Sequence, residues 1–321
     1  MSTEPLDPAM VNQPSIFDEA DFDKTIITHM PGNLLPTSDG LFLKVKNSSY
    51  PLPLGAMVIG RDASCTLSLP SRMISRQHAV IYRQGKHYLL RDLHSTNGVS
   101  VNDKPVAQTL LRPGDRITMG DQHFEIMEGQ HPPEKYNTAC IVVFVDLANS
   151  TRLTEQYGKG FSEHIRHLMR LVEDQVLIQR GCPIKQLGDG LMCAFDLWQV
   201  KESGYQAFDR ALQFAQKALR MFSEDRKYEP LALRVGLHYG DIVLSETPHF
   251  DLFGDTVNTA ARIEAANKYY HTQIMASDAF VTRTRFQDYL REVDRVKVMG
   301  RDQPLTLYTW DTGFAKHKQK Q

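Results

Sequence analysis

The stretch DLFGDTVNTAAR, residues 251–262, decides how the rest of the chain is read. It opens on an acid in a Gly-containing turn and runs into a helix signal. Asn258 and Arg262 lie four residues apart, which places both side chains on one helical face. An amide that donates and accepts stands beside a planar, permanently charged guanidinium, a pair suited to an anionic ligand. Asn is a weak helix former, so propensity gives no reason for Asn258. Alone, such a pair is usually just a surface helix with a stray Asn and Arg. What lies upstream decides between the two.

From residue 139 onward, strand and helix patterns alternate. CIVVFVD (140–146) is a buried-type strand. Ile165, Leu168, Met169, Val172 and Val176 form an apolar stripe at helical spacing within 162–180. PIKQL and LMCAF flank Gly-Asp-Gly at 188–190, a hairpin signal. A second stripe follows, with Ala207, Ala211, Leu212, Ala215, Leu219 and Phe222. LALRVGLHYG (231–240) and DIVLS (241–245) are expected to pair as another hairpin. Then come a helix over 255–268, the strand QIMAS, and the late strands VDRVKVM and PLTLYTW. This βαββαβ order with additions predicts an α+β, ferredoxin-like domain over a mostly antiparallel sheet, covering 139–315.

Residues 39–129 have a different texture. Eight short apolar runs, from LFLKVKN (41–47) to HFEIM (123–127), recur between turn signals with no helical stripe, which predicts an all-β sandwich. The chain is therefore multidomain. Residues 1–38 are Pro-containing, acidic and poor in periodic apolar positions, and are expected to be a disordered tail. Residues 130–138 are a linker, and 316–321 a short basic tail.

Composition narrows the function classes. Net charge is −1 over 321 residues, so no overall basic field draws the chain to nucleic acid or to a membrane surface. No apolar run approaches the roughly 20 residues that cross a bilayer, and the N-terminus has no apolar signal core. Cys65, Cys140, Cys182 and Cys193 show no metal-type spacing, which suits a reduced, cytoplasmic protein without disulfides.

Asp146 ends the first strand of the α+β region, and Asp189 sits at the tip of the Gly-Asp-Gly hairpin. Singly, one is a turn acid and the other a plain Asp-Gly hairpin. Together they are two carboxylates at strand ends on one sheet, able to converge on divalent cations. Adding Lys185, Asp251, Asn258 and Arg262, six separated positions in order, residues 139–312 resemble the class III nucleotidyl cyclase catalytic domain.

That resemblance implies an enzyme making 3′,5′-cyclic AMP and pyrophosphate from ATP. Asp146, Asp189 and the Leu147 carbonyl would hold two Mg²⁺ or Mn²⁺ per active site. Lys185 and Asp251 would read the purine edge. Family members that use GTP typically carry Glu and Cys at these places, so Lys and Asp imply ATP. Asn258 would position the ribose, and Arg262 would neutralise phosphate charge. The family's site forms between two chains, which implies a homodimer with two equivalent sites.

The sandwich carries Gly60-Arg61, then Ser75-Arg76-Gln-His78, then Ser95-Thr96-Asn97-Gly98. Loops at one end of a sandwich make a binding surface. Two arginines with Ser, Thr and Asn suit a phosphate on a peptide backbone. In this combination residues 39–128 resemble a forkhead-associated (FHA) domain, which implies phosphothreonine-peptide binding. Arg61, Ser75 and Arg76 would contact phosphate or peptide, Thr96 and Asn97 the peptide backbone, and His78 would support the loops from behind. The partner would be another protein's phosphothreonine or Thr25 in the chain's own tail, within DFDKTIITHMP (21–31). Two alternatives stand beside the adenylate cyclase: a phosphopeptide-binding adaptor with a silent cyclase-like half, and a guanylate cyclase.

Overall fold

The computed structural model describes residues 40–310, apart from 47, 53–54, 85–86, 130–136, 198–204, 226, 229–230, 246–249 and 298–303. The tail 1–38 with Thr25, most of the linker and the tail 316–321 lie outside the described residues.

Every apolar run of the N-terminal region becomes a strand. The elements are β1 (Leu41–Val45), β2 (Ser48–Pro51), β3 (Ala56–Gly60), β4 (Leu67–Ser68), β5 (Ala79–Gln84), β6 (His87–Asp92), β7 (Val99–Val101), β8 (Lys104–Pro105), β9 (Gln108–Leu110), β10 (Arg116–Met119) and β11 (Gln122–Glu128). Of these, β2, β8 and β9 have no apolar run, and periodicity gave no warning of them. The strands form two sheets, ordered β2-β1-β11-β10-β7-β8 and β4-β3-β5-β6-β9. Leu43, Ile59, Ile81, Leu90, Ile117 and Phe124 fill the space between them.

The second domain comprises β12 (Ala139–Leu147), α1 (Ser150–Tyr157), α2 (Lys159–Ile178), β13 (Cys182–Leu187), β14 (Gly190–Phe195), α3 (Gln206–Glu224), β15 (Leu233–Asp241), β16 (Val243–Ser245), β17 (Asp251–Phe253), α4 (Asp255–Tyr270), β18 (Ile274–Ser277), α5 (Asp278–Val281), β19 (Leu290–Val296) and β20 (Leu305–Trp310). Its main sheet runs β13-β14-β12-β15-β18-β20-β19, antiparallel throughout except for β15 beside β18. The stripe residues of α2 and most of those of α3 pack against the inward side chains of β12, β14 and β15 in one core.

One pairing differs from expectation. Residues 231–240 and 241–245 do not form a hairpin. β15 has β12 along one edge and β18 along the other, so it offers no free edge to the residues that follow. The chain leaves the sheet after Asp241, and β16 pairs with β17 in a separate two-stranded ladder.

The two domains are packed together. β3 is buried at all five positions, because its outer face is covered as well as its inner one. Ala56 and Val58 of β3, with Val80 and Tyr82 of β5, cluster with Leu177 of α2. Arg91 of β6 clamps the joint: its Nη1 donates to Glu173 Oε2 at 3.0 Å and to Asp174 Oδ1 at 3.2 Å, and its guanidinium lies over the Tyr82 ring. Burial there pushes the Tyr82 hydroxyl up to about 12.

Candidate functional site

Asp146 lies one residue from the end of β12, directly across from Arg234 on β15. Arg234 Nη2 donates to Asp146 Oδ2 at 2.5 Å. The hairpin β13–β14 brings in the second carboxylate. Its two-residue turn is Gly188-Asp189, and Gly188 has φ 64°, the left-handed conformation that glycine supplies without strain. Asp189 then sits near enough to Asp146 for their charges to repel. The Asp146 carboxyl is raised above the usual aspartate range, first by burial and then by Asp189, against the pull of Arg234. Asp189 Oδ2 is buried with no hydrogen-bond partner. A buried acceptor of this kind is costly unless something positive meets it.

A third acid joins them. The backbone of α4 lies so close on β15 that a Cβ at Gly236 would come within 2.4 Å of the Glu264 nitrogen. Glycine therefore lets Glu264 approach Arg234, whose Nε lies 3.3 Å from Glu264 Oε1, misaligned for a hydrogen bond. Burial, then the charge of Asp146, raise the Glu264 carboxyl to about 8. Among the described residues, no group of three or more His, Cys, Asp or Glu side chains is arranged to hold a metal unaided. Magnesium is commonly held by one or two carboxylates with substrate phosphates supplying the rest. The orphaned Asp189 oxygen beside Asp146 fits that pattern.

Lys185 and Asp251 meet although 66 positions apart: Lys185 Nζ donates to Asp251 Oδ2 at 2.6 Å. A register shift between Pro183 and Lys185 re-aims the β13 side chain, and the Leu252 N–H fixes Asp251 Oδ1 at 2.8 Å. Asn258 and Arg262 lie on α4, Asn258 exposed and Arg262 half-buried. Arg262 and Glu264 are separated by about 200° around the helix axis, at 3.6 residues per turn. With Glu264 turned to the sheet, Asn258 and Arg262 face another way. The six positions thus fall into three groups: Asp146 with Asp189, Lys185 with Asp251, and Asn258 with Arg262. Leu147 is buried at the end of β12.

Sequence reasoning missed Arg234 and Glu264. The one available signal was a lone cation within the apolar strand LRVGL, where an unpaired charge is not tolerated.

In the N-terminal domain, three loops are tied to one another. The Arg61 and Asp62 N–H groups donate to the Ser75 and Arg76 carbonyls at 3.0 and 3.1 Å. The Thr96 N–H donates to Ser75 Oγ at 3.0 Å, and Asn97 Nδ2 donates to the Met73 carbonyl at 2.8 Å. His78 is fully buried behind them. Its Nδ1 accepts from the Ser75 N–H, so its Nε2 carries the proton and donates to the Gly98 carbonyl at 3.0 Å. Arg61 and Arg76 are exposed. With Ser75, Thr96, Asn97 and the unforeseen Arg72, they line a cleft of about 720 Å³.

Comparison with known proteins bears on both domains. Residues 57–120 match the family described as the FHA domain, and residues 132–310 match the adenylate and guanylate cyclase catalytic domain. Adenylate cyclase 2 of Rhizobium meliloti is 30% identical over 186 residues, covering 54% of this chain and 50% of that protein. An adenylate cyclase of Mycobacterium bovis is 30% identical over 183 residues, covering 54% of this chain and 40% of that one. FHA domain-containing protein FhaA of Mycobacterium tuberculosis is 41% identical over 83 residues, covering 26% of this chain and 15% of that one. The chain thus spans half or less of the length of these curated relatives.

Proposed function

We infer that this chain, which belongs to the adenylate and guanylate cyclase catalytic domain family and carries an FHA domain, converts ATP to 3′,5′-cyclic AMP and pyrophosphate. The observation that carries this reading is the contact between Lys185 and Asp251. An ammonium and a carboxylate side by side offer one donor and one acceptor. Adenine presents the complement, a ring-nitrogen acceptor and an exocyclic amine donor.

The residues divide the remaining work. When bound, two divalent ions at Asp146, Asp189 and the Leu147 carbonyl would acidify the ribose 3′-hydroxyl and hold the triphosphate. The 3′-hydroxyl gives up its proton to solvent, its oxygen attacks the α-phosphorus, the bond from that phosphorus to the bridging oxygen breaks, and pyrophosphate leaves. Asn258 holds the ribose, and Arg262 meets the charge that develops on the phosphate oxygens. Arg234, now paired with Asp146, is a further cation at the triphosphate end.

Because Asn258 and Arg262 face away from the side of α4 that packs over Asp146, a second copy of the chain must supply them. Two identical sites then form in a homodimer. The ladder β16–β17 suits that contact: Val243 is 63% and Phe253 51% exposed beside Asp251. The FHA cleft binds phosphothreonine segments through Arg61, Ser75 and Arg76, with Thr96 and Asn97 on the peptide backbone. Four buried, unpaired cysteines suit a reducing compartment. No helix among the described residues is long and apolar enough to cross a membrane.

The test is purified protein with Mg²⁺ or Mn²⁺ and each nucleotide in turn. Cyclic AMP from ATP is expected. Cyclic GMP from GTP alone would make it a guanylate cyclase, and no product from either would leave a phosphopeptide adaptor.

A further inference from the structure

The cleft over the FHA loops is not made by that domain alone. Opposite Arg61, Ser75 and Arg76, its wall is formed by Leu171, Gln175 and Ile178 of α2 with Met221 of α3. The three α2 residues are spaced i, i+4, i+7, so they share one helical face. That face is held in place by its neighbours. Asp174 accepts from Arg91 and lies 3.5 Å from His94 Nε2, and Leu177 is packed into the outer sheet of the FHA domain. The wall residues are all half-buried, with surface left facing the cleft.

From this geometry, and resting on the reading of the FHA domain as a phosphothreonine binder, we propose that the cleft is a two-domain peptide site. The cyclase helices α2 and α3 read the residues beside the phosphothreonine, and the occupant is this chain's own segment 21–31 phosphorylated on Thr25. The segment reads Asp-Phe-Asp-Lys-Thr25-Ile-Ile-Thr-His-Met-Pro. Ile26 and Ile27 follow the phosphate and match the apolar wall. Asp21 and Asp23 precede it and match Arg61, Arg72 and Arg76. The connection from Thr25 to Gly40 spans up to about 50 Å when extended. A domain of some 90 residues is roughly 30 Å across, so the tail reaches its own cleft. Phosphorylation moves the γ-phosphoryl group of ATP to Thr25 Oγ by a protein kinase, releasing ADP and the hydroxyl proton.

The test uses the full, unphosphorylated chain and a labelled peptide of residues 18–32 carrying phosphothreonine at 25, followed by fluorescence anisotropy. The native chain binds it and ignores the unphosphorylated peptide. Ile178→Asp and the milder Gln175→Ala and Met221→Ser weaken binding, Ile178→Asp by about tenfold or more. A phosphopeptide with serine at 26 and 27 binds the native chain and these variants alike. In the full chain phosphorylated on Thr25, the added peptide binds at least about tenfold more weakly, because the tethered segment competes at high effective concentration. If the wall variants bind both peptides as the native chain does, while Arg61→Ala loses both, the FHA reading stands and the two-domain site is overturned. If the chain binds phosphothreonine peptides from a random library but not phospho-18–32, the tail is overturned as occupant. If no phosphothreonine peptide binds, the FHA reading falls with it.

Discussion

In the FHA cleft, Arg61, Arg72 and Arg76 point into one space, and the loops that carry them are already tied by main-chain and Ser75 hydrogen bonds. Three cations are gathered there on loops that the chain itself has fixed. In the cyclase domain two cations instead occupy neighbouring acids: Arg234 holds Asp146, and Lys185 holds Asp251. Among the described side-chain atoms left without a hydrogen-bond partner there is Asp189 Oδ2, an acceptor that calls for a cation. The two regions differ in how far their charged groups are already paired with one another. A preorganised cleft loses little on binding. On the proposed function, the catalytic site must exchange internal ion pairs for metal, nucleotide and a second chain, so it can be switched by what changes its geometry.

The largest expected effect tests the proposed sharing of the catalytic site between two chains. Asp146→Ala and Asn258→Ala should each lower cyclic AMP formation by roughly 10²-fold or more, as losses of charge stabilisation at a reacting phosphate do. Mixing the two proteins should restore activity, since one site of the heterodimer then has both halves intact. No rescue, with heterodimers demonstrated by differential tagging, would mean that each chain completes its own site. The matching test of the FHA cleft is Arg61→Ala. Losing one charge-assisted contact to a phosphate should cost about 2–3 kcal/mol of phosphopeptide affinity, measured by titration calorimetry. Loss confined to a few-fold would show that Arg72 and Arg76 carry the anion instead.

How much of this was legible beforehand differs between the two regions for physical reasons. The apolar runs and stripes are local, so eight strands of the sandwich and both long helices could be read directly. Arg61, Ser75, Thr96 and Asn97 sit in short loops at one end of a sandwich, and topology brings them together almost by default. The Arg234–Glu264 approach depends on Gly236 admitting the α4 backbone onto β15, a tertiary event with no local trace. The supposed hairpin at 231–245 failed because alternation marks a strand without naming its partner. β3 offers the opposite lesson. AMVIG has no polar face, which says that both sides are covered, but the covering residue, Leu177, lies over a hundred positions away.

The interface between the regions gives the next effect. Arg91→Met keeps the stem over Tyr82 but removes the guanidinium from Asp174, which is only 7% exposed. A buried acid deprived of its guanidinium should cost about 2 kcal/mol, read as a lower urea midpoint. Asp174→Asn in the same background should recover much of it. If Arg91→Met unfolds as the native chain does, the Arg91 ion pairs add nothing to a joint held by its other contacts, Leu177 and His94 among them.

The smallest effect is the pH dependence of that joint. Asp174 faces Arg91, His94 and the acids Glu173 and Asp92. Burial raises its carboxyl above the ordinary 3.8, with Arg91 pulling the other way. Folding therefore favours its protonated form. Its contribution to stability is fully present below 3.8 and is lost as pH rises through the raised value, because the native state then holds a proton that the unfolded state has released. Asp174→Asn removes this slope. With His94→Asn in both proteins, which removes the neighbouring imidazole from the comparison, the urea midpoint of the Asp174→Asn chain should gain on its parent as pH climbs from about 4 toward neutrality. A constant difference across that range would mean that Arg91 holds Asp174 ionised throughout. The joint between peptide cleft and catalytic sheet would then be a fixed ion pair, indifferent to pH.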